Sequence, residues 1–175
     1  GFVPFPHAAV WDHKNGLTLL EELPTAKDGT VAYAINNAGS VAGATQTASG
    51  YRATVWQGGT PVDLGLIEGA AASIATAISA NGMVVGYSNF GSTNRGTVWN
   101  DGLIIDVGNL PDKESGFLAG VNARGFAVGS SCNDVIRLDT DCAAVVWNSL
   151  AGLLDLNDLV DLGPNWYLTS ASGIN

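Results

Sequence analysis

Charge is what this sequence has least of. Only 13% of its 175 residues are charged, and 7 Lys plus Arg face 16 Asp plus Glu, a formal net charge of −9. No two or three of the cations form a basic cluster. A phosphate backbone needs a positive footprint, so nucleic acid is excluded as a partner. An anionic membrane surface is disfavoured on the same ground. No apolar run approaches the length of a membrane span, so no membrane insertion is expected. The opening Gly1-Phe-Val-Pro-Phe-Pro6 has neither the charged start nor the apolar middle of a secretory signal. The chain therefore reads as a mature product or an excised domain. Histidine is almost missing, with only His7 and His13, and cysteine occurs twice, at Cys132 and Cys142. Few histidines leave little for acid–base chemistry. There is no Gly-x-Ser-x-Gly elbow and no Gly-Lys-Ser/Thr phosphate loop.

What is present is a repeat. Four segments end in Val-Trp: His7-Ala-Ala-Val-Trp11, Arg52-Ala-Thr-Val-Trp56, Arg95-Gly-Thr-Val-Trp99 and Ala143-Ala-Val-Val-Trp147, with tryptophans 45, 43 and 48 residues apart. Each is followed by a turn and a second apolar run, in which Asp63, Asp106 and Asp155 hold equivalent places. A third element recurs as Ala34-Ile-Asn36, Ala77-Ile-Ser79, Gly120-Val-Asn122 and Gly173-Ile-Asn175. A fourth recurs as Gly39-Ser-Val-Ala-Gly43, Gly82-Met-Val-Val-Gly86 and Gly125-Phe-Ala-Val-Gly129. Four short strands per unit, split by Gly-bearing turns, predict an all-β chain. The fold expected is a β-propeller of about four four-stranded blades, with small residues on the innermost strand and Val, Ile and Trp filling the space between blades. A β-solenoid is the alternative, although its coils are usually shorter. The chain is one repeat domain over 1–175, with Val-Trp units near 7–51, 52–94, 95–141 and 142–175.

In propeller phase the chain holds two strands, then three full blades, then one strand. The split blade lacks its second strand. Phe2-Val-Pro-Phe5 is one candidate to fill the gap, although its prolines weaken it. A shortened chain is another, and a strand donated by a neighbouring molecule is the third. The two cysteines bracket the longer excursion of the third unit. A disulfide stapling its base is expected, as suits an extracellular protein; two free thiols are the alternative. A metal site is disfavoured, because nothing supplies the other ligands.

The pattern His-Ala-x-x-Trp, Gly, Asp-Leu-Gly, then Ala-x-Ile-Asn-x-x-Gly-x-Val-Val-Gly resembles the bacterial HAF-type extracellular repeat family. His7-Ala-Ala-Val-Trp11 is near its naming motif, with Val where the family often has Leu. Leu154-Asp-Leu-Asn-Asp-Leu159 followed by Trp166-Tyr-Leu-Thr-Ser-Ala-Ser-Gly-Ile-Asn175 is similar to its terminal repeat. In the family that segment usually continues into another Gly-x-Ile-Val-Gly strand, which does not follow here. The resemblance covers nearly the whole chain after residue 6. It implies a secreted or cell-surface repeat protein of propeller type. The family has no settled function, and no catalytic residues carry over.

Candidate functional residues are few. His7 belongs to the repeat motif, where Arg52, Arg95 and Ala143 stand at the same place, so a structural role is expected. Asp63, Asp106 and Asp155 recur once per unit, as turn caps or bonds to a neighbouring strand would; a ring of carboxylates binding a cation is the other reading. Asp134, Asp139 and Asp141 sit in the cysteine loop and could offer oxygens to Ca²⁺. The EF-hand pattern is absent, so a solvated acidic loop is preferred and no cofactor is expected beyond that Ca²⁺ option. Glu21 and Glu22 are adjacent, face opposite ways on a strand, and make no acid–base pair. The repeated tryptophans read as core. Trp166 and Tyr167, which lie outside the repeat, and Tyr51 and Tyr87 near loops are the aromatics expected to meet a ligand. The function expected is an extracellular, non-enzymatic binding module for a protein or glycan. The alternative is a structural subunit that self-assembles into a filament by completing the open terminal blade.

Overall fold

The computed structural model describes residues 6–133, 141–161 and 163–175. Its described residues form fourteen strands. β1 (Ala9–Asp12) and β2 (Gly16–Leu19) make a two-stranded hairpin. β3 (Ala26–Ile35), β4 (Val41–Thr47), β5 (Gly50–Gln57) and β6 (Thr60–Asp63) make the first four-stranded sheet. β7 (Ala72–Ile78), β8 (Val84–Asn89), β9 (Asn94–Asn100) and β10 (Leu103–Gly108) make the second. β11 (Ser115–Val121), β12 (Ala127–Cys132), β13 (Cys142–Asn148) and β14 (Gly152–Asp155) make the third. Every recorded pairing is antiparallel between chain neighbours. A solenoid would pair strands of successive repeats; here each sheet keeps its own four strands, and that alternative is set aside. The Val-Trp segments at Trp56, Trp99 and Trp147 each supply the third strand of a four-stranded sheet, and the one at Trp11 supplies β1 of the hairpin, so the sheets start and stop out of phase with units counted from Val-Trp.

The Val-x-Gly pattern has a steric cause. In each sheet the first strand carries one extra residue, a bulge at Tyr33, Thr76 or Ala119, shown by register shifts at Ala32/Ala34, Ala75/Ala77 and Leu118/Gly120. Just opposite stand Gly43, Gly86 and Gly129. A Cβ on these glycines would fall 1.9–2.0 Å from the carbonyl oxygens of Val31, Ile74 and Phe117. The bulged strand therefore occupies the space where a side chain would be. The turn between the first two strands uses glycine differently: Gly39, Gly82 and Gly125 have φ of 80°, 90° and 84°, which L side chains resist.

Successive side chains of the third strand point to opposite faces. Val55 and Ala53 join Ala75, Val84 and Trp99 of the second sheet in one buried cluster. Val98 and Val85 join Leu118, Ala127 and Trp147 of the third sheet in another. Trp56 and Val41 pack on Ala8 and Leu20 beside the hairpin. Each sheet thus turns a valine face to the next and a tryptophan face to the one before. Polar links run the same way. The Ala8 and Ala53 N–H groups donate to the hydroxyls of Thr30 and Ser73 at 2.8 and 2.9 Å. The Asn36 and Asn122 amides donate to the carbonyls of Ser79 and Asn175 at 3.0 and 3.1 Å.

Trp11 breaks the expectation that the repeated tryptophans are core. Trp56, Trp99 and Trp147 are 0%, 4% and 6% exposed, whereas Trp11 is 69% exposed. The reason is its place in the stack: among the described residues no sheet packs on the face of the hairpin that carries Trp11. Among the described residues no hydrogen bond joins the hairpin to the third sheet. The arrangement is thus a stack of a hairpin and three sheets rather than four complete sheets. Phe2-Val-Pro-Phe5, a candidate for the second strand of the split unit, lies outside the described residues. The bulge geometry makes Gly86→Ala destabilising by about 2 kcal/mol or more, since overpacking against rigid backbone cannot be relieved by a rotamer change. The urea midpoint of that variant checks it, and an unchanged midpoint refutes the account.

Candidate functional site

The four aromatics singled out in the sequence do not converge. Tyr51 is exposed on β5 of the first sheet. Tyr87, on β8 of the second, is half-buried rather than exposed; burial, with the nearby Tyr33, pushes its hydroxyl above the ordinary tyrosine range. Trp166 and Tyr167 alone lie together. They line a cleft of about 420 Å³ with Asn157, Val160, Asp161 and Pro164. Trp166 is 77% and Tyr167 57% exposed.

That pair owes its position to the turn after β14. The Asp155 carboxylate caps the short 3-10 turn Leu156–Asp158 by accepting from the Asn157 N–H at 2.8 Å. Asn157 is thereby fixed, and its side chain grips the backbone of Leu168: Oδ1 accepts the Leu168 N–H at 2.7 Å and Nδ2 donates to its carbonyl at 2.9 Å. The same carbonyl accepts the Ala144 N–H of β13 at 2.8 Å, and the Ala171 N–H donates to Gly129 of β12 at 3.1 Å. Residues 168–175 are laid along the third sheet, with Gly173 against Gly120, where a Cβ would meet its Cα at 3.0 Å. Two-point backbone capture by one asparagine is worth about 1–3 kcal/mol when both bonds are shielded. Tyr167 is pushed above the ordinary tyrosine range by partial burial first and by the neighbouring Asp155 second. Asn157 was not among the sequence candidates. Its only signal was its place in the Leu154–Leu159 stretch outside the repeated pattern.

The recurring polar side chains serve the scaffold. Asp63 and Asp106 accept the N–H groups of Gly65 and Gly108 two residues on, at 2.8 and 2.9 Å. They also pair with Arg52 and Arg95 across the sheet at 3.1 and 2.9 Å. Asp155 caps its turn in the same manner, with Ala143 in place of the arginine. His7 stands where Arg52 and Arg95 do, and it meets Glu22 at 2.8 Å. His13 is exposed in the β1–β2 turn. These pairs are partly exposed, and each contributes about 1 kcal/mol at most.

The cysteines are joined. Cys132 and Cys142 are register partners at the end of β12 and start of β13, bonded at 2.05 Å. Beneath them the Asp141 carboxylate meets Lys113 Nζ at 2.7 Å and also accepts from Asn133. The hydrogen bond to Lys113 leads the causes that hold Asp141 below the ordinary carboxylate range, and the same bond raises Lys113. Of the Ca²⁺ candidates, Asp134 and Asp139 lie outside the described residues. Asp141 is committed to Lys113 and Asn133, and among the described residues no group of three metal-binding side chains is found. No helix of the described residues is long and apolar enough to cross a membrane.

The chain matches no protein-family model and no curated protein.

The disulfide closes a short loop between strands that already pair, so its removal by reduction or by Cys132→Ser with Cys142→Ser should cost about 2–3 kcal/mol. Denaturant midpoints with and without reductant read this directly. No shift on reduction would place the stability of β12–β13 in pairing alone.

Proposed function

We propose that the chain is a non-enzymatic binding module of the extracellular space or cell surface, made of β-propeller blades, that takes a glycan in the Trp166–Tyr167 cleft. The observation that carries this reading is the exposed Trp166 ring beside Tyr167, just ahead of Leu168, whose backbone Asn157 bonds at both its N–H and its carbonyl. A fixed aromatic platform offers a flat apolar surface to the apolar face of a sugar, while the rim groups of Asp161 and Tyr167 offer hydrogen bonds. Preorganisation matters because a mobile platform would lose affinity to ordering. Support for the blades is the shared strand order of three four-stranded sheets and the first strand of each lying on the sheet before. Support for the extracellular setting is the Cys132–Cys142 disulfide, together with the resemblance to HAF-type repeats. The non-enzymatic reading rests on how His7, Asp63, Asp106 and Asp155 are used: each holds a strand or a turn.

A glycan array followed by calorimetry on the hits tests this. Binding is expected to weaken by about tenfold or more in Trp166→Ala, which is roughly 1.4 kcal/mol. An array without hits, or hits that bind Trp166→Ala equally well, would remove the glycan reading. The exposed Trp11 end of the stack favours a second reading, a subunit that associates with its own kind.

A further inference from the structure

The two ends of the stack are unlike each other: one carries a tryptophan face and the other a valine face. At one end the hairpin presents Trp11 and Leu17, register partners whose side chains share a face, together with Leu19; all three are exposed. Tyr33 and Ile35 of β3 border the same surface and stay exposed, with a cavity of about 300 Å³ between them and Trp11. Inside the stack the counterparts of Trp11 and Leu17 are buried or packed: Trp147 and Leu153 sit on Val85 and Val98 of the second sheet. At the other end the third sheet turns its valine face outward. Val146 holds the place of Val55 and Val98, which are 4% and 0% exposed under the next tryptophan, yet Val146 itself is only half-buried. Residues 168–175 lie along part of that face through the Ala144 and Ala171 bonds, as β7 and β11 lie along the sheets before them.

We propose that the tryptophan face of the hairpin docks on the valine face of the third sheet in a second copy of this chain, head to tail. The argument is repetition. The first-to-second and second-to-third sheet contacts already show what this tryptophan face packs against; on the matching face of the third sheet Ala144 and Val128 are covered, at 1% and 5% exposure, and Val146 is left half-buried beside them. A contact between unlike faces is heterologous, so it closes into a ring if the rotation allows and otherwise extends as a filament. Among the described residues β1 pairs with β2 alone, and a strand edge of that kind can take a further strand. Each copy carries a net charge of −9, so copies repel at long range and the apolar contact supplies the attraction; added salt tightens it by screening. The interface rests on the self-association reading and is independent of the Trp166 cleft.

The test is light scattering over a concentration series, with negative-stain imaging of the same samples. The wild-type mass should climb from the 17.9 kDa of one chain to two copies or more, and climb further in added salt. Trp11→Ser and Leu17→Ser alter exposed side chains and leave the buried clusters intact. Each should raise the half-association concentration by about thirtyfold, the loss expected of a central aromatic or apolar anchor. Discrete rings and extended filaments both satisfy the proposal. It is overturned if the wild type stays monomeric throughout, or if both variants associate as the wild type does. Glycan binding by Trp11→Ser, and association by Trp166→Ala, should match the wild type, which separates failure here from failure of the glycan reading.

Discussion

A sheet of four short strands with two apolar faces cannot stand alone. It must be covered on both sides, and everything else in this chain follows from how that cover is arranged. Alternation along the third strand places Val55 on one side and Trp56 on the other, so a single Val-Trp dipeptide dictates both neighbours. At the first junction large meets small: Trp99 is received by Ala42 and Ala53. The first strand must then be slim where it lies on the sheet before it, and small residues recur there, at Ala75 and Ala77 of β7 and Gly116 and Gly120 of β11. Its bulge leaves no room for a side chain opposite, and glycine is required at Gly43, Gly86 and Gly129.

Much of this was legible in the sequence because the repeat makes each unit evidence for the next. Strand content, the two-strand start and three complete sheets follow from spacing; the joined cysteines are an expectation from their place at the base of one excursion, with two free thiols as the alternative. The cause of the Val-x-Gly pattern was not legible, since a glycine needed for close approach reads the same as one needed for a turn. Trp11 shows the limit of periodicity. A repeat predicts what a position does when both neighbours are present, and among the described residues no sheet faces Trp11, which is 69% exposed. Closure of the stack into a circuit is a matter of accumulated angle between sheets, which no local motif encodes.

The site was legible in part. Trp166 and Tyr167 stand outside the repeat, and a residue released from scaffold duty is free for other use. Tyr51 and Tyr87 both lie near loops, yet strand alternation turns Tyr87 half-inward, near Tyr33. The carboxylates divide along the same line. Asp63 and Asp106 are held by arginines and turn N–H groups, whereas Asp161 by the cleft accepts the turn N–H of Gly163 and has no arginine partner among the described residues. Position within the pattern, more than residue type, separates structure from chemistry in a chain with so few charges.

The asparagine links give the stack a mechanical property. The Asn36 side chain holds the backbone of Ser79, and that of Asn122 holds Asn175, so one turn in each pair is tethered to the corresponding turn of a later repeat. Loosening a sheet removes a support from the next, and the stack approaches a one-dimensional array with nearest-neighbour coupling. Fraying in such an array begins at the ends, where a layer has one support instead of two. A ligand or a second copy seated at either end would therefore stiffen the interior without touching it.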